Sequence, residues 1–161
     1  MWGTYIPIVS RYASRGVLMN HKNEVAMIYM SQNGFNKLAG GGIEANETKE
    51  IAFMREIKEE TGYACEIIQE LGYIEEHKNR TNFCQYSYCF LAKVIGEMND
   101  KMLTDNEKLL GFELEWMNID EAIKRMRQAL KACEDYKMKF MILRDQIILE
   151  YVMNLQNSTS D

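Results

Sequence analysis

Apolar and polar residues alternate with two different periods along this chain, and each change of period marks a new element. Residues 17–20 and 25–31 are apolar runs on either side of the turn-like His21-Lys22-Asn23, a pattern that predicts a β-hairpin. A short segment, residues 35–38, leads into three glycines at positions 40–42. A helix is predicted to follow, with Asn46 or Thr48 placed to cap its start and Gly62 suited to its end. Residues 66–77 and 82–95 read as two long strands forming an antiparallel pair. In the second of them Phe83, Gln85 and Ser87 fall on one side, and Cys84, Tyr86 and Tyr88 on the other. Residues 97–111 are polar and irregular, residues 112–117 make a short strand, and residues 120–130 and 136–155 have helical spacing. A disordered tail is expected at residues 157–161. Repeats and low-complexity linkers are absent.

A length of 161 residues with 47% hydrophobic content supports one domain with a sizeable core, expected to span residues 1–156. Helices between and after strands suit an α/β fold, an α/β/α sandwich around a mixed sheet. The net charge of −5 argues against nonspecific binding to nucleic acid. It would also repel anionic substrates unless a metal or local Arg and Lys offset it. No stretch approaches the roughly 18 apolar residues of a membrane span. The start MWGTYIPIVSRYASRG lacks the sustained apolar core of a secretory signal, so a cytoplasmic location is expected. Cys65, Cys84, Cys89 and Cys133 form no C-x-x-C pair, and His21 and His77 are the only histidines, so reduced core thiols are expected rather than zinc.

The chemistry concentrates in residues 41–63, GGIEANETKEIAFMREIKEETGY. On a helix Glu56, Glu59 and Glu60 stand at i, i+3 and i+4, so their carboxylates share an arc of roughly 100°. Like charges at this spacing destabilise an isolated helix by a few tenths of a kcal/mol per pair, which points to a cation among them. All-oxygen ligands select magnesium, calcium or manganese, and magnesium commonly joins one or two carboxylates to substrate phosphates. The glycines at 40–42 supply backbone that can approach a ligand closely.

The fixed positions Gly41, Glu47, Arg55, Glu56, Glu59, Glu60 and Gly62 spell G-x5-E-x7-R-E-(apolar)-x-E-E-x-G, which resembles the signature box of the Nudix hydrolases. At residue frequencies of roughly 5–7%, such agreement arises by chance about once in 10^8 windows, so coincidence is a poor explanation. The resemblance implies an α/β/α fold and metal-dependent hydrolysis of a phosphoanhydride in a nucleoside diphosphate linked to another group. It implies Glu56, Glu59 and Glu60 as principal ligands of Mg2+, with Mn2+ able to substitute. The backbone carbonyl of Gly40 would join them, Arg55 would hold a box glutamate in position, and Glu47 would brace the loop. Gly41, Glu47 and Gly62 would be structural. The general base would be a box glutamate, such as Glu59, or an acid of a later loop. For that loop Glu97, Glu107 and Glu113 are candidates, and Glu107 is favoured because T-D-N-E-K lies shortly before the 112–117 strand. Two positions depart from the family pattern: Ala39 replaces a proline, which loosens the loop, and Tyr63 replaces an aliphatic residue.

Outside the box, Lys37, His77, Lys78 and Arg80 are candidates for phosphate contacts, and Tyr86, Tyr88 or Phe83 for stacking on a base. Lys37, Arg80 and Tyr86 head that set. Pro7 is the only proline, so the proline that some ADP-ribose-cleaving relatives carry beyond the box has no counterpart. By size the chain looks more like cleaners of nucleoside triphosphates and modified nucleotides. The alternatives are an ADP-ribose or sugar-nucleotide pyrophosphatase, a catalytically lapsed regulatory module, and an isomerase of diphosphate lipids. The intact box speaks against the lapsed module, and the missing cysteine motif against the isomerase. The expected partner is a small nucleotide, with neither nucleic acid nor membrane; family habit suggests a homodimer.

Overall fold

The computed structural model describes residues 5–98 and 100–159. Its centre is a seven-stranded mixed sheet made of β1 (Arg11–Met19), β2 (Val25–Met30), β3 (Phe35–Lys37), β4 (Ala39–Gly42), β5 (Ala64–Lys78), β6 (Phe83–Ile95) and β7 (Phe112–Met117). Four helices accompany it: α1 (Lys49–Thr61), α2 (Asp105–Leu109), α3 (Ile119–Ala132) and α4 (Tyr136–Thr159). The sheet runs β3-β2-β1-β6-β5, with β4 also on β1 and β7 on β2. Among the described pairings only β1 and β6 are parallel, joined over nine residue pairs from Arg11↔Gln85 to Met19↔Lys93. The expected β5–β6 pair is present and antiparallel.

Successive residues of a strand face opposite sides of a sheet, and here both sides are covered. Val17 and Met27 point toward α3 and α4, where they pack with Leu38, Met126, Ile142 and Leu149. Their neighbours Leu18 and Ile28 point toward α1 and pack with Phe53, Ile57 and Phe90. The rings of Phe53 and Phe90 lie 4.9 Å apart between centroids. The result is the three-layered α/β/α arrangement expected from the element order.

Three elements differ from the sequence reading. The glycine run, expected as a loop, forms the strand β4, antiparallel to β1 with Ser14↔Gly41 and Arg15↔Gly40 in register. The chain leaves β2's partner β3 at Lys37 and joins β1 at Ala39, so it crosses between two strands at Leu38. The polar stretch 97–111 contains the helix α2, started by a reciprocal capping box between Thr104 and Glu107. Finally, α4 continues through residues 157–159, the first part of the expected tail; residues 160–161 lie outside the described residues.

All four cysteines are buried and unbridged. Burial pushes the Cys65 thiol up to about 11 and Cys89 to about 12, values that keep both protonated and unreactive at neutral pH. No helix among the described residues is long and apolar enough to cross a membrane.

Candidate active site

The helix α1 is capped by Thr48, whose side chain accepts from the amide of Ile51 at 3.1 Å, and it ends at Gly62 in the left-handed conformation. Its inward face carries Phe53 and Ile57, and also Glu56 and Glu60. Two acids on the apolar side of a helix are costly unless something compensates them. Glu60 is nearly inaccessible, at 1% exposure. The amide of Gly40 donates to its Oε1 at 2.9 Å, and Lys37 Nζ lies 3.3 Å from the same oxygen. Lys37 also donates to the carbonyl of Leu38 at 2.9 Å.

Glu107 arrives from the opposite side. The loop before α2 is tied to α1 by the amide of Met102, which donates to the carbonyl of Glu59 at 2.8 Å. The loop after it is tied to the β2–β3 turn by Ser31 and Gln32, whose amides donate to the carbonyls of Gly111 and Leu110. Between these anchors the capping box holds Glu107, whose Oε1 accepts from the Thr104 amide at 2.9 Å. Oxygens of Glu56, Glu60 and Glu107 therefore all lie within 4.8 Å of one another, a group able to hold a metal ion.

The titration of these acids reflects their crowding. Burial, opposed by Lys37 and reinforced by the shared hydrogen bond with Glu107, pushes Glu60 up to about 8. Burial likewise raises Glu56, only partly countered by Arg55. For Glu107 burial is outweighed, and the bonds from Glu60 and Thr104 hold it below the usual glutamate range. Without a cation, Glu60 keeps a proton and shares it with Glu107. A divalent ion would remove the need for that proton, so the donor set fits such an ion.

Arg55 stands beside this cluster and uses nearly all of its donors. Its Nε and Nη2 form a fork on Glu47 at 2.6 and 2.9 Å, and Nη2 also donates to the carbonyl of Gly42 at 3.0 Å. Nη1 donates to Glu56 at 3.0 Å and to Glu59 at 3.2 Å. Hydrogen bonding to Glu47 raises Arg55 further above its ordinary value and lowers Glu47. Glu59 is thus directed toward Arg55, apart from the cluster of Glu56, Glu60 and Glu107. Helical spacing places three acids on one arc; here Glu56 and Glu60 converge with the loop acid Glu107, while Glu59 and Glu56 share the Nη1 of Arg55.

The acids line one side of a cavity of about 430 Å³. Gly40, Gly41 and Gly42 form its edge, and Lys37 lies in it. Close approach explains why Gly40 and Gly41 carry no side chain. A Cβ on Gly41 would come within 2.5 Å of the Glu56 carboxylate, and one on Gly40 within 2.3 Å of the Arg15 Cβ.

The opposite side is cationic, and the sequence reading finds only Lys78 of it. Arg11, Arg15, Lys78 and Arg144 line the same cavity. Arg144 donates to Asp145 at 2.7 Å and to Glu76 at 3.0 Å, and Lys78 lies 3.4 Å from Glu76. Asp145 in turn accepts from the amide of Leu38 at 2.9 Å, fixing the chain where it crosses from β3 to β4. Burial lowers Arg15 to about 10, with neighbouring Arg144 adding to the effect. A signal for these groups did exist: Arg15 shares the face of Val17 on a buried strand, and Arg144-Asp145 interrupt the apolar run FMILRDQIIL.

Two expected substrate contacts lie outside this cavity. Arg80 sits in an exposed 3-10 turn with its guanidinium 4.5 Å from the centre of the Tyr136 ring. Tyr86 alternates away from the cavity residue Gln85, and its ring stacks on Tyr73 at 5.4 Å. Of the other candidates, Glu97 and Glu113 are exposed, and His77 accepts from the amide of Ile6 at 2.8 Å.

The pattern of the NUDIX domain matches residues 9–136, and the chain belongs to that family. A curated Caenorhabditis elegans protein named "Putative nudix hydrolase 1" is 28% identical over 116 residues, covering 68% of this chain. The match spans 29% of that protein's length. Solved structures share the fold. A NUDIX hydrolase from Nitrosomonas europaea superposes with a TM-score of 0.65 at 16% identity, over 92% of this chain and 89% of that one. A MutT NUDIX hydrolase from Burkholderia pseudomallei gives 0.56 at 22% identity, over 68% of this chain and 84% of that one. A UDP-X diphosphatase gives 0.53 at 17% identity, over 73% of this chain and 54% of that one.

Proposed function

We propose that this protein hydrolyses a phosphoanhydride bond in a nucleoside diphosphate joined to a further group, with magnesium as its metal and manganese as a substitute. The observation that carries this reading is the convergence of Glu56, Glu60 and Glu107 at the edge of a cavity whose far side is cationic. Glu56, Glu60 and Glu107 would hold the divalent ion, with the Gly40 carbonyl as a backbone candidate at the same edge. When bound, such an ion neutralises phosphate oxygens and acidifies water.

The chain's own groups supply the rest. Arg55 locks Glu47, Glu56 and Glu59 in fixed orientations before substrate arrives, so little reorganisation is needed at the moment of reaction. The oxygen of an attacking water forms a bond to one phosphorus as the bridging P–O bond breaks, and the bridging oxygen departs with the other phosphate. The water proton passes to a carboxylate. Glu107, held below the usual glutamate range, and Glu59, at 27% side-chain exposure against 11% for Glu56 and 1% for Glu60, are the two candidate acceptors.

The test is turnover on a panel of nucleoside triphosphates, nucleoside diphosphate sugars and ADP-ribose. Magnesium is expected to permit release of a nucleoside monophosphate from at least one member, EDTA to stop it, and Glu56→Gln, Glu59→Gln and Glu60→Gln each to slow it by about 10²-fold or more. Binding of nucleotides without turnover of any member would overturn the reading in favour of a regulatory module. Activity supported by zinc alone would contradict the metal assignment.

A further inference from the structure

The cationic side of the cavity holds more positive charge than its own carboxylates balance. Arg11, Arg15, Lys78 and Arg144 lie across the cavity from Glu56, Glu60 and Glu107, and the acids on their own side, Glu76 and Asp145, are both paired with Arg144. Lys78 takes the other oxygen of Glu76. Arg11 donates to the neutral Gln85 at 3.0 Å. Arg15 is the unusual member: it is 3% exposed, and among the described residues its hydrogen bond is the one from Nε to Ser87 Oγ at 2.9 Å. No carboxylate of the described residues pairs with it within ion-pair distance. Its two Nη groups therefore stand without acceptors among the described residues, on the wall of a cavity. The planar fork of a guanidinium that opens onto a cavity in this way is suited to a phosphate.

The thinness of β4 puts this fork within one ligand's reach of the metal-binding acids. Arg15 presses on Gly40 from one side of the strand and Glu56 on Gly41 from the other. A diphosphate esterified at both ends carries one negative charge per phosphate, and the metal-binding side would already engage those oxygens. A terminal phosphate, close to dianionic at neutral pH, offers Arg15 and its cationic neighbours more charge than an esterified phosphate does.

We propose that Arg15, assisted by Arg11 and Lys78, receives a terminal phosphate, so that the preferred substrate is a nucleoside triphosphate rather than a nucleoside diphosphate capped by a neutral sugar. This rests on the phosphoanhydride-hydrolase reading given above and names its substrate class. Arg15 is a specificity-determining residue in this scheme.

The experiment compares kcat/KM for a nucleoside triphosphate and for the same nucleoside diphosphate joined to glucose, in wild type, Arg15→Lys and Arg11→Gln. Wild type is expected to favour the triphosphate by about tenfold or more. Arg15→Lys, which keeps the charge and loses the fork, is expected to reduce that ratio by about tenfold. Arg11→Gln, at an exposed rim position that does not threaten folding, is expected to reduce it severalfold. A second arm measures binding of inorganic phosphate in EDTA by calorimetry, where Arg15→Lys is expected to weaken binding about tenfold. A wild-type ratio near one, or equal losses on both substrates with phosphate binding unchanged, would overturn the proposal while leaving the hydrolase reading intact. Arg15-dependent phosphate binding without hydrolysis of either substrate would uphold the anion site and overturn the triphosphate as the preferred substrate.

Discussion

The amide of Gly40 donates to Glu60 Oε1 at 2.9 Å, joining the crossing strand β4 to the most buried acid of α1. On its other side Gly40 rests against Arg15, its register partner on β1. One residue without a side chain thus sets the spacing between the acidic and cationic sides of the cavity. A methyl group at Gly40 would meet the Arg15 Cβ at 2.3 Å, so Gly40→Ala is expected to cost about 1–3 kcal/mol. Thermal unfolding should register a midpoint lower by roughly 3–10 °C, and an unchanged midpoint would show that β1 and β4 are free to separate.

Gly41→Ala should behave differently. Its methyl group would meet a carboxylate, the movable end of Glu56, at 2.5 Å rather than backbone. Stability is expected to change little, whereas manganese affinity should fall by about tenfold or more as Glu56 is displaced. Titration followed by paramagnetic resonance distinguishes the two glycines.

Arg55 joins Glu47, Glu56, Glu59 and the Gly42 carbonyl, and no other described residue bridges all four. Arg55→Ala is expected to lower kcat by about 10²-fold, with a smaller effect on KM. Arg55→Lys should recover little, because a lysine cannot reproduce the fork on Glu47. Full activity in Arg55→Lys would mean that charge alone suffices.

Glu60 is pushed up to about 8 chiefly by burial, against about 4.3 for an exposed glutamate. A raised folded value favours the protonated form. The stability this group contributes is therefore complete below about pH 4.3 and is lost as pH rises through about 8. Binding a divalent ion requires the ionised form and should expel that proton. Calorimetry with magnesium or manganese near pH 6.5, repeated in buffers of different ionisation enthalpy, is expected to show release of about one proton per ion. Release should diminish above about pH 8, and its absence at about pH 6.5 would contradict the buried, protonated state. In EDTA, Glu60→Gln should flatten the decline of stability between those limits.

Asp145 is fully buried, pairs with Arg144 and holds the Leu38 amide. Asp145→Ala would leave a buried guanidinium without this partner, so a loss of about 3–5 kcal/mol is expected by denaturant unfolding. Burial opposes the charge of Asp145, but Arg144 and Arg15 lower it below its usual value. Its stabilising effect therefore holds at neutral pH and is lost on acidification below the usual aspartate range. An Asp145→Ala variant as stable as wild type would show that Arg144 finds Glu76 sufficient.

Local spacing carried much of the fold. The helix caps at Thr48 and Gly62, the short strand Phe112–Met117 and the long β5–β6 pair all follow from patterns a few residues wide. The glycine run was legible as close-approach backbone but not as a strand, because its pairing partner β1 lies some twenty-five positions away and glycine carries no strand propensity. Glu107 stood out by its place before β7, whereas Arg15 and Arg144 were marked only as charges within apolar stretches, and the groups they would meet could not be read from local spacing.

The sequence by itself determined the chemistry of one helix, since Glu56, Glu59, Glu60 and Arg55 are bound together by helical geometry that any α-helix imposes. Only the tertiary structure decided which acids meet. Glu56 and Glu60 meet Glu107, which the anchored loop brings in, and the crossing at Leu38 sets Arg15 and Arg144 opposite them. Those contacts join residues far apart in the chain, and their distances follow from packing and ion pairing rather than from any local period.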